Sequence, residues 1–158
     1  MRARRRVAST GLAALVAFSA GWGTGVASSS AAPSGSVVPT VKVLAPGGVV
    51  IAEVARTERE QEIGLAGRHH MPRSRGMLFV ISPARPVSMW MLDMRFSLDL
   101  VFVRDGIVTK VVRRAEPCPN LPCRAFPSGD PVDSVLELRG GQAHRLGLKP
   151  GAHLTLKP

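Results

Sequence analysis

The chain has 158 residues, enough for one domain and a leader. An apolar content of 45% excludes an intrinsically disordered protein, and only 4% of aromatics leave the core to aliphatic side chains and methionine. The net charge is +10, from 21 basic and 11 acidic residues. Four arginines lie in the first six positions, so the rest has 17 basic residues and a charge of +6. These basic residues are scattered without interleaved aromatics, so no nucleic acid partner is expected.

Residues 1–32 are predicted to be a secretory signal peptide. The leading arginines precede an apolar run from Gly11 to Ala27, and small-residue cleavage patterns end at Ala27 and at Ala32. The alternative is an uncleaved membrane anchor, which would be the only contact with a membrane. A Ser/Gly/Pro linker follows at 33–39, and one β-rich domain is expected over 40–158. Its location would be periplasmic, cell-envelope or extracellular.

The domain is predicted to consist mainly of short strands. Strands at 40–44 and 49–55 flank a Pro-Gly-Gly turn and form a hairpin. Thr57 and Glu60 have the spacing of a capping box, which begins a short helix that ends near Gly64 or Leu65. Further strands are predicted at residues 77–81, 87–91, 98–104, 107–113, 133–139 and 152–156, with a second short helical segment after Gly140-Gly141. Asp105-Gly106 is the strongest hairpin signal.

This pattern predicts a mostly β protein with seven to eight strands and one or two short helices. Most connections have the length of a hairpin rather than of a crossover helix. A compact β-sandwich or a small barrel is therefore favoured over a parallel α/β sheet.

Cys118 and Cys123 are the two cysteines of the chain. Four residues separate them in a proline-rich loop, and in an oxidising compartment this spacing predicts a local disulfide. A thiol redox pair would need a CxxC at the start of a helix, and the prolines oppose a helix here. No second ligand pair for zinc lies nearby in the sequence.

Several segments in order resemble one family. They are residues 57–68, 76–80, 90–91 with 98–99 eight residues on, 126–128, 135–138 and 146–148. Together they are similar to the bacterial and archaeal domain of unknown function 192 family, from Thr40 to the C-terminus. The resemblance implies a compact, mostly β, often exported domain and transfers no catalytic residues. The chain departs from the family pattern at 92–94, where Leu-Asp-Met replaces the usual Lys-Asn-Thr, and at Ser97, which replaces a proline.

The candidate site is centred on the stretch from Ser88 to Asp99. It contains the only tryptophan outside the leader, three of the six methionines and two aspartates. The first hypothesis is an exported ligand-binding or accessory module, acting as a monomer on an unknown small molecule or envelope component. No cofactor is expected, and the six ligand-binding candidates are Arg68, Trp90, Met91, Asp93, Asp99 and Ser128. Ser128 lacks the nucleophile elbow of a hydrolase.

Two alternatives remain open for the same stretch. Asp99 could be the acid or base of an enzyme acting on an envelope glycan, or it could cap backbone amides before its strand. Asp93 has the same two interpretations. The methionines and His69-His70 also match Cu(I) handling, because thioethers are soft ligands. The opposing interpretation, in which methionines fill a core short of aromatics, is favoured, so no metal site is predicted.

Overall fold

The computed structural model describes residues 38–158, so the predicted signal peptide and most of the linker lie outside the described residues. The described part is mostly β, which confirms the predicted fold class. Its elements are β1 (Thr40–Ala45), β2 (Gly48–Ala55), α1 (Glu58–Ile63), β3 (Arg75–Arg85), β4 (Ser88–Met89), β5 (Leu98–Arg104), β6 (Ile107–Ala115), β7 (Phe126–Pro127), β8 (Val132–Arg139), α2 (Gln142–Arg145) and β9 (Thr155–Lys157). Neither α1 nor α2 has the length and apolar character that a membrane crossing requires.

Seven strands form one curled sheet in the order β6-β5-β8-β3-β2-β1-β9, and β4 pairs with β7 separately. β9 pairs with β1 at one edge, while the chain just before it bonds to β6 at the other edge. There the Val108 amide donates to the Ala152 carbonyl at 2.9 Å, and the Leu154 amide donates to the Gly106 carbonyl at 2.8 Å. These contacts require the sheet to curl into a half-barrel. Of the two predicted architectures, the small barrel is closer to this arrangement than the β-sandwich.

The predicted strands are present, with changed lengths. β3 extends beyond the predicted 77–81, because it pairs with β2 at its start and reaches β8 again at Arg85 after a register shift. The predicted strand at 87–91 shortens to the two residues of β4. The β2–β3 pairing is parallel and α1 makes the crossover, so this connection differs from the expected hairpins.

The sheet is buried on both faces. On β5, Leu98, Leu100 and Phe102 pack on one face with Met77 and Phe79, and we call this the cleft face. The alternate residues Val101 and Val103 pack on the opposite face, which we call the α2 face. Its buried members also include Leu136, Leu138, Ala143, Leu146 and Leu148. A central strand such as β8 is therefore enclosed on both sides, and two polar residues within it, Ser134 and Glu137, are buried.

Helix α1 is fixed against the sheet by polar contacts at both ends. The Thr57 hydroxyl accepts from the Glu60 amide at 3.2 Å and the Glu60 carboxylate accepts from the Thr57 amide at 2.9 Å, which confirms the capping box. The Gln61 side chain donates to the Val80 carbonyl of β3 at 2.7 Å. The helix ends at Gly64 (φ 48), a left-handed position that favours glycine. α1 consequently lies beside β3 as a wall over the cleft face.

The predicted disulfide between Cys118 and Cys123 is formed. The loop it closes is bound to the Trp90 segment through the backbone. The Cys118 amide donates to the Met91 carbonyl at 2.9 Å, and the Asp93 amide donates to the Cys118 carbonyl at 3.2 Å. The cross-link thus supports the chain that follows Trp90.

Candidate functional site

A cleft of about 390 Å³ opens on the cleft face, between α1 and the segment that follows β3. One wall comes from α1 and the turn after it, and the other from residues 86–90 with Leu92 and Met94. Phe79 and Ile81 of β3 and Glu137 of β8 complete the lining. The volume lies within the range of small-molecule sites, which are mostly apolar with few polar groups. We call it the Trp90 cleft.

Glu137 is the unusual residue of this cleft. It occupies the middle of β8, where its neighbours across the sheet are Met77 of β3 and Leu100 of β5. The residue is only 4% exposed, and burial raises the pKa of its carboxyl to about 8. No hydrogen bond reaches that carboxyl from any group within residues 38–158. At neutral pH this carboxyl is therefore mostly protonated, and residues 38–158 supply it with no hydrogen-bond partner.

Trp90 lies at the mouth of the cleft with 58% of its surface exposed. Ile63 of α1, which also lines the cleft, is exposed to a similar degree. The charged groups that line the cleft with Glu137 are two carboxylates of α1, Glu58 and Glu62, and the guanidinium of Arg85. The mouth thus presents two exposed apolar side chains among charged groups, while the interior is apolar.

Two other predicted residues lie close to the cleft lining in sequence or through hydrogen bonds. Met91, between the lining residues Trp90 and Leu92, is buried in the core. The Ser128 hydroxyl accepts from the Val87 amide at 3.1 Å and donates to the Asp130 carbonyl at 2.8 Å. Val87 lines the cleft, so Ser128 positions this wall from behind.

Asp99 lies on the α2 face, away from the cleft. It is fully buried, and both of its carboxylate oxygens accept hydrogen bonds from the backbone. The Arg114 amide donates to one oxygen and the Ala143 amide, at the start of α2, donates to the other, each at 2.8 Å. Arg114 has a φ of 49°, and its amide is held there by Asp99. These contacts connect β5, the end of β6 and α2.

Arg68 and Asp93 lie outside the cleft lining. Arg68 forms a bidentate ion pair with Glu53 of β2, with both N–O distances at 2.6 Å, and this pairing holds the pKa of Glu53 below its usual value. Asp93 is exposed, and its carbonyl accepts from the Gly67 amide at 3.0 Å. Of the six predicted residues, only Trp90 lines the cleft. Ser128 contacts the wall through Val87, Met91 is packed in the core, and Arg68, Asp93 and Asp99 lie elsewhere.

The methionines are mainly core residues. Four of the six, Met71, Met77, Met91 and Met94, are buried in the cluster on the cleft face. Within residues 38–158 no three His, Cys, Asp or Glu side chains are grouped so that they could hold a metal ion.

Comparison with known proteins places this architecture in a family. The family model described as "Uncharacterized ACR" matches residues 41–156. The chain belongs to the domain of unknown function 192 family. This finding confirms the resemblance drawn from the sequence. Of the positions at which the chain departs from the family pattern, Leu92 and Met94 line the Trp90 cleft.

Two solved structures resemble this member of the family. One is a protein of Sinorhizobium meliloti described as a candidate transcription regulator, with 33% identity and a TM-score of 0.67 over 74% of this chain and 92% of that one. The other is a protein of unknown function from Novosphingobium aromaticivorans, also at 33% identity and a TM-score of 0.67, over 84% of this chain and 99% of that one. No curated protein matches the sequence.

Sequence reasoning missed Glu137 as a site residue. The alternation of residues 133–139 predicts a strand, and a glutamate on an alternating strand is expected to face water. A signal was nevertheless present, because Val135, Leu136 and Leu138 make both faces of that strand apolar. A lone carboxyl in such a run is a candidate for a buried functional group.

Proposed function

We propose that this domain binds a small, mainly apolar molecule in the Trp90 cleft. One observation carries the proposal: a buried carboxyl that receives no hydrogen bond from residues 38–158 lines an apolar cleft that has room for a ligand. Burial of an ionisable carboxyl costs free energy, because its charged form is removed from water. A ligand that reaches Glu137 would recover part of that cost.

Trp90, which lines the cleft together with Glu137, supports the same proposal. Large aromatic side chains are normally buried, whereas this indole is mostly exposed beside the opening. Exposed apolar surface at the rim of a cavity is typical of binding sites. A ligand seated between Trp90 and Ile63 would remove apolar surface from water on both sides.

We propose further that binding takes place after export. The Cys118–Cys123 disulfide supports this location, since such bonds persist in oxidising compartments. The two other functions considered receive less support from the geometry. Both oxygens of Asp99 are occupied by backbone amides, and most methionines are packed in the core.

The proposal can be tested by titrating the full chain with 1-hexanol, a neutral probe with an apolar body. The indole N–H resonance of Trp90 is assigned by its loss in Trp90→Phe. We expect saturable shifts of this resonance and of the Gly64 amide, with a dissociation constant on the order of 1 mM for so small a ligand.

Two substitutions to phenylalanine provide a matched comparison. Ala66 lines the cleft, so Ala66→Phe should weaken hexanol binding at least tenfold, by about 1.4 kcal/mol. Val49 is exposed on β2 outside the cleft, so Val49→Phe should leave binding unchanged. Equal dissociation constants for hexanol in the two variants, or no saturable shift of the Trp90 resonance in the parent chain, would contradict the proposal.

A further inference from the structure

The charge pattern of the cleft deepens the proposed function, on which the following inference rests. The domain as a whole carries an excess of basic residues, 17 against 11 acidic ones outside the leading arginines. The cleft lining reverses this ratio, with three carboxyl groups and one guanidinium. An acidic site on a basic domain attracts ligands of positive charge to that place.

Glu137 is the only buried carboxyl of the three, and it receives no hydrogen bond from residues 38–158. β3 and β5 present Met77, Phe79 and Leu100 to this face, and none of these side chains can donate a hydrogen bond. The nearest carboxyl in the same row across the sheet is Glu53, two strands away at about 10 Å by strand spacing. Arg68 already pairs with Glu53.

The hydrogen-bonding capacity of the site favours a donor over an acceptor. A protonated carboxyl can donate only one hydrogen bond, and its second oxygen still requires a donor. A protonated amine supplies two or three donors and a full positive charge. It can therefore satisfy an ionised Glu137 carboxylate at both oxygens, with a charge-assisted bond that a neutral ligand cannot form.

We infer that the ligand of the Trp90 cleft is an organic amine: its ammonium group pairs with Glu137 and its apolar body lies against Phe79, Ile81 and Trp90. Binding converts Glu137 to the carboxylate and releases its proton to solvent. The charged groups that face the site are Glu58 and Glu62 from α1 and Arg85 from β3. The two exposed glutamates at the mouth add to the attraction of an ammonium ion, and Arg85 at the end of β3 opposes it.

Three probes with the same six-carbon body test this inference on the full chain: hexylammonium, 1-hexanol and hexanoate. At about pH 9 hexylammonium should bind at least tenfold more tightly than hexanol, with hexanoate the weakest. Because binding requires an ionised Glu137, this advantage should shrink about tenfold for each unit of pH below about 8. Hexanol, which does not need the carboxylate, should not gain affinity as the pH rises.

Glu137→Gln separates this inference from the proposed function. The variant should lose the advantage of hexylammonium over hexanol, and the ratio of the two dissociation constants is the readout. Equal affinities of the two probes in the parent chain, or an advantage that survives in the variant, would overturn the amine assignment and leave cleft binding intact. Failure of both probes to shift the Trp90 resonance would overturn the proposed function as well.

Discussion

Replacing Glu137 by glutamine should remove the fall in unfolding free energy that ionisation of this residue causes in the parent chain between pH 4.5 and about pH 8. The amide has the size of the protonated acid but cannot ionise, so Glu137→Gln resembles the native state of the parent at low pH. In the parent, burial raises the pKa of the carboxyl from 4.5 to about 8.

The sign and size of the effect follow from linkage. Below about pH 4.5 the carboxyl is protonated in both the folded and the unfolded chain, so it adds no pH dependence. As the pH rises from 4.5 to about 8 the unfolded chain ionises and the folded chain does not, so the free energy of unfolding falls. A difference of 3.5 pKa units corresponds to a loss of up to about 5 kcal/mol above pH 8. This is a large share of the stability of an ordinary domain.

The assay is urea unfolding monitored by circular dichroism. It is carried out at about pH 5, near the lower limit of this pH range, and at about pH 9, above its upper limit. The two chains should have similar unfolding free energies at the lower pH, and the variant should be more stable by several kcal/mol at the higher pH. A difference that does not change with pH, or a variant that is less stable at about pH 9, would refute the reasoning.

Glu53→Gln is the matched control, because Glu53 lies in the same row of the sheet but pairs with Arg68. The pKa of Glu53 is lowered rather than raised in the folded chain. Its contribution to the unfolding free energy is therefore present above the pKa of the unfolded chain, and it is lost as the pH falls through the pKa of the folded chain. The pair is partly exposed, so the variant should lose no more than about 1 kcal/mol at neutral pH. It should gain nothing at high pH.

Three further predictions concern the framework around the cleft. Asp99→Ala should cost about 3 kcal/mol in urea unfolding, because the Arg114 and Ala143 backbone amides lose the buried carboxyl that accepts from both, and hexanol binding by the remaining folded protein should be unchanged. Replacing Cys118 and Cys123 together by serine should cost about 2 kcal/mol, the entropy of closing so short a loop, and an unchanged urea midpoint would contradict this. Ser128→Ala should cost about 1 kcal/mol and weaken hexanol binding, because Val87 loses the bond from its amide to the Ser128 hydroxyl and keeps only the backbone bond from the Ser128 amide. Binding at parent affinity would show that the backbone bond alone positions this wall.

The local pattern of the sequence determined most of the secondary structure. Alternating apolar residues, the Asp105-Gly106 turn and the capping box at Thr57 specify strands, a hairpin and the start of a helix through contacts a few residues apart. The disulfide is local in the same sense, since its cysteines are five positions apart. Such features need no knowledge of the rest of the chain.

The site depended on long-range pairing, which no local pattern contains. Trp90 and Asp99 are nine positions apart in the sequence, yet Trp90 borders the cleft and Asp99 lies on the α2 face of the sheet. Side chains of a strand alternate between the faces, so one position along β5 decides which core a residue enters. Asp99, for which the sequence left both a functional and an amide-capping role open, accepts hydrogen bonds from two backbone amides.

Glu137 shows the same dependence more clearly. The sequence alone determined that residues around it form a strand, and on an edge or half-covered strand its carboxyl would face water. Only the tertiary structure placed β8 between β3 and β5 with both faces covered. Burial then changed an ordinary surface glutamate into a protonated acid at the Trp90 cleft, because the cost of desolvating a charge depends on what surrounds it in space.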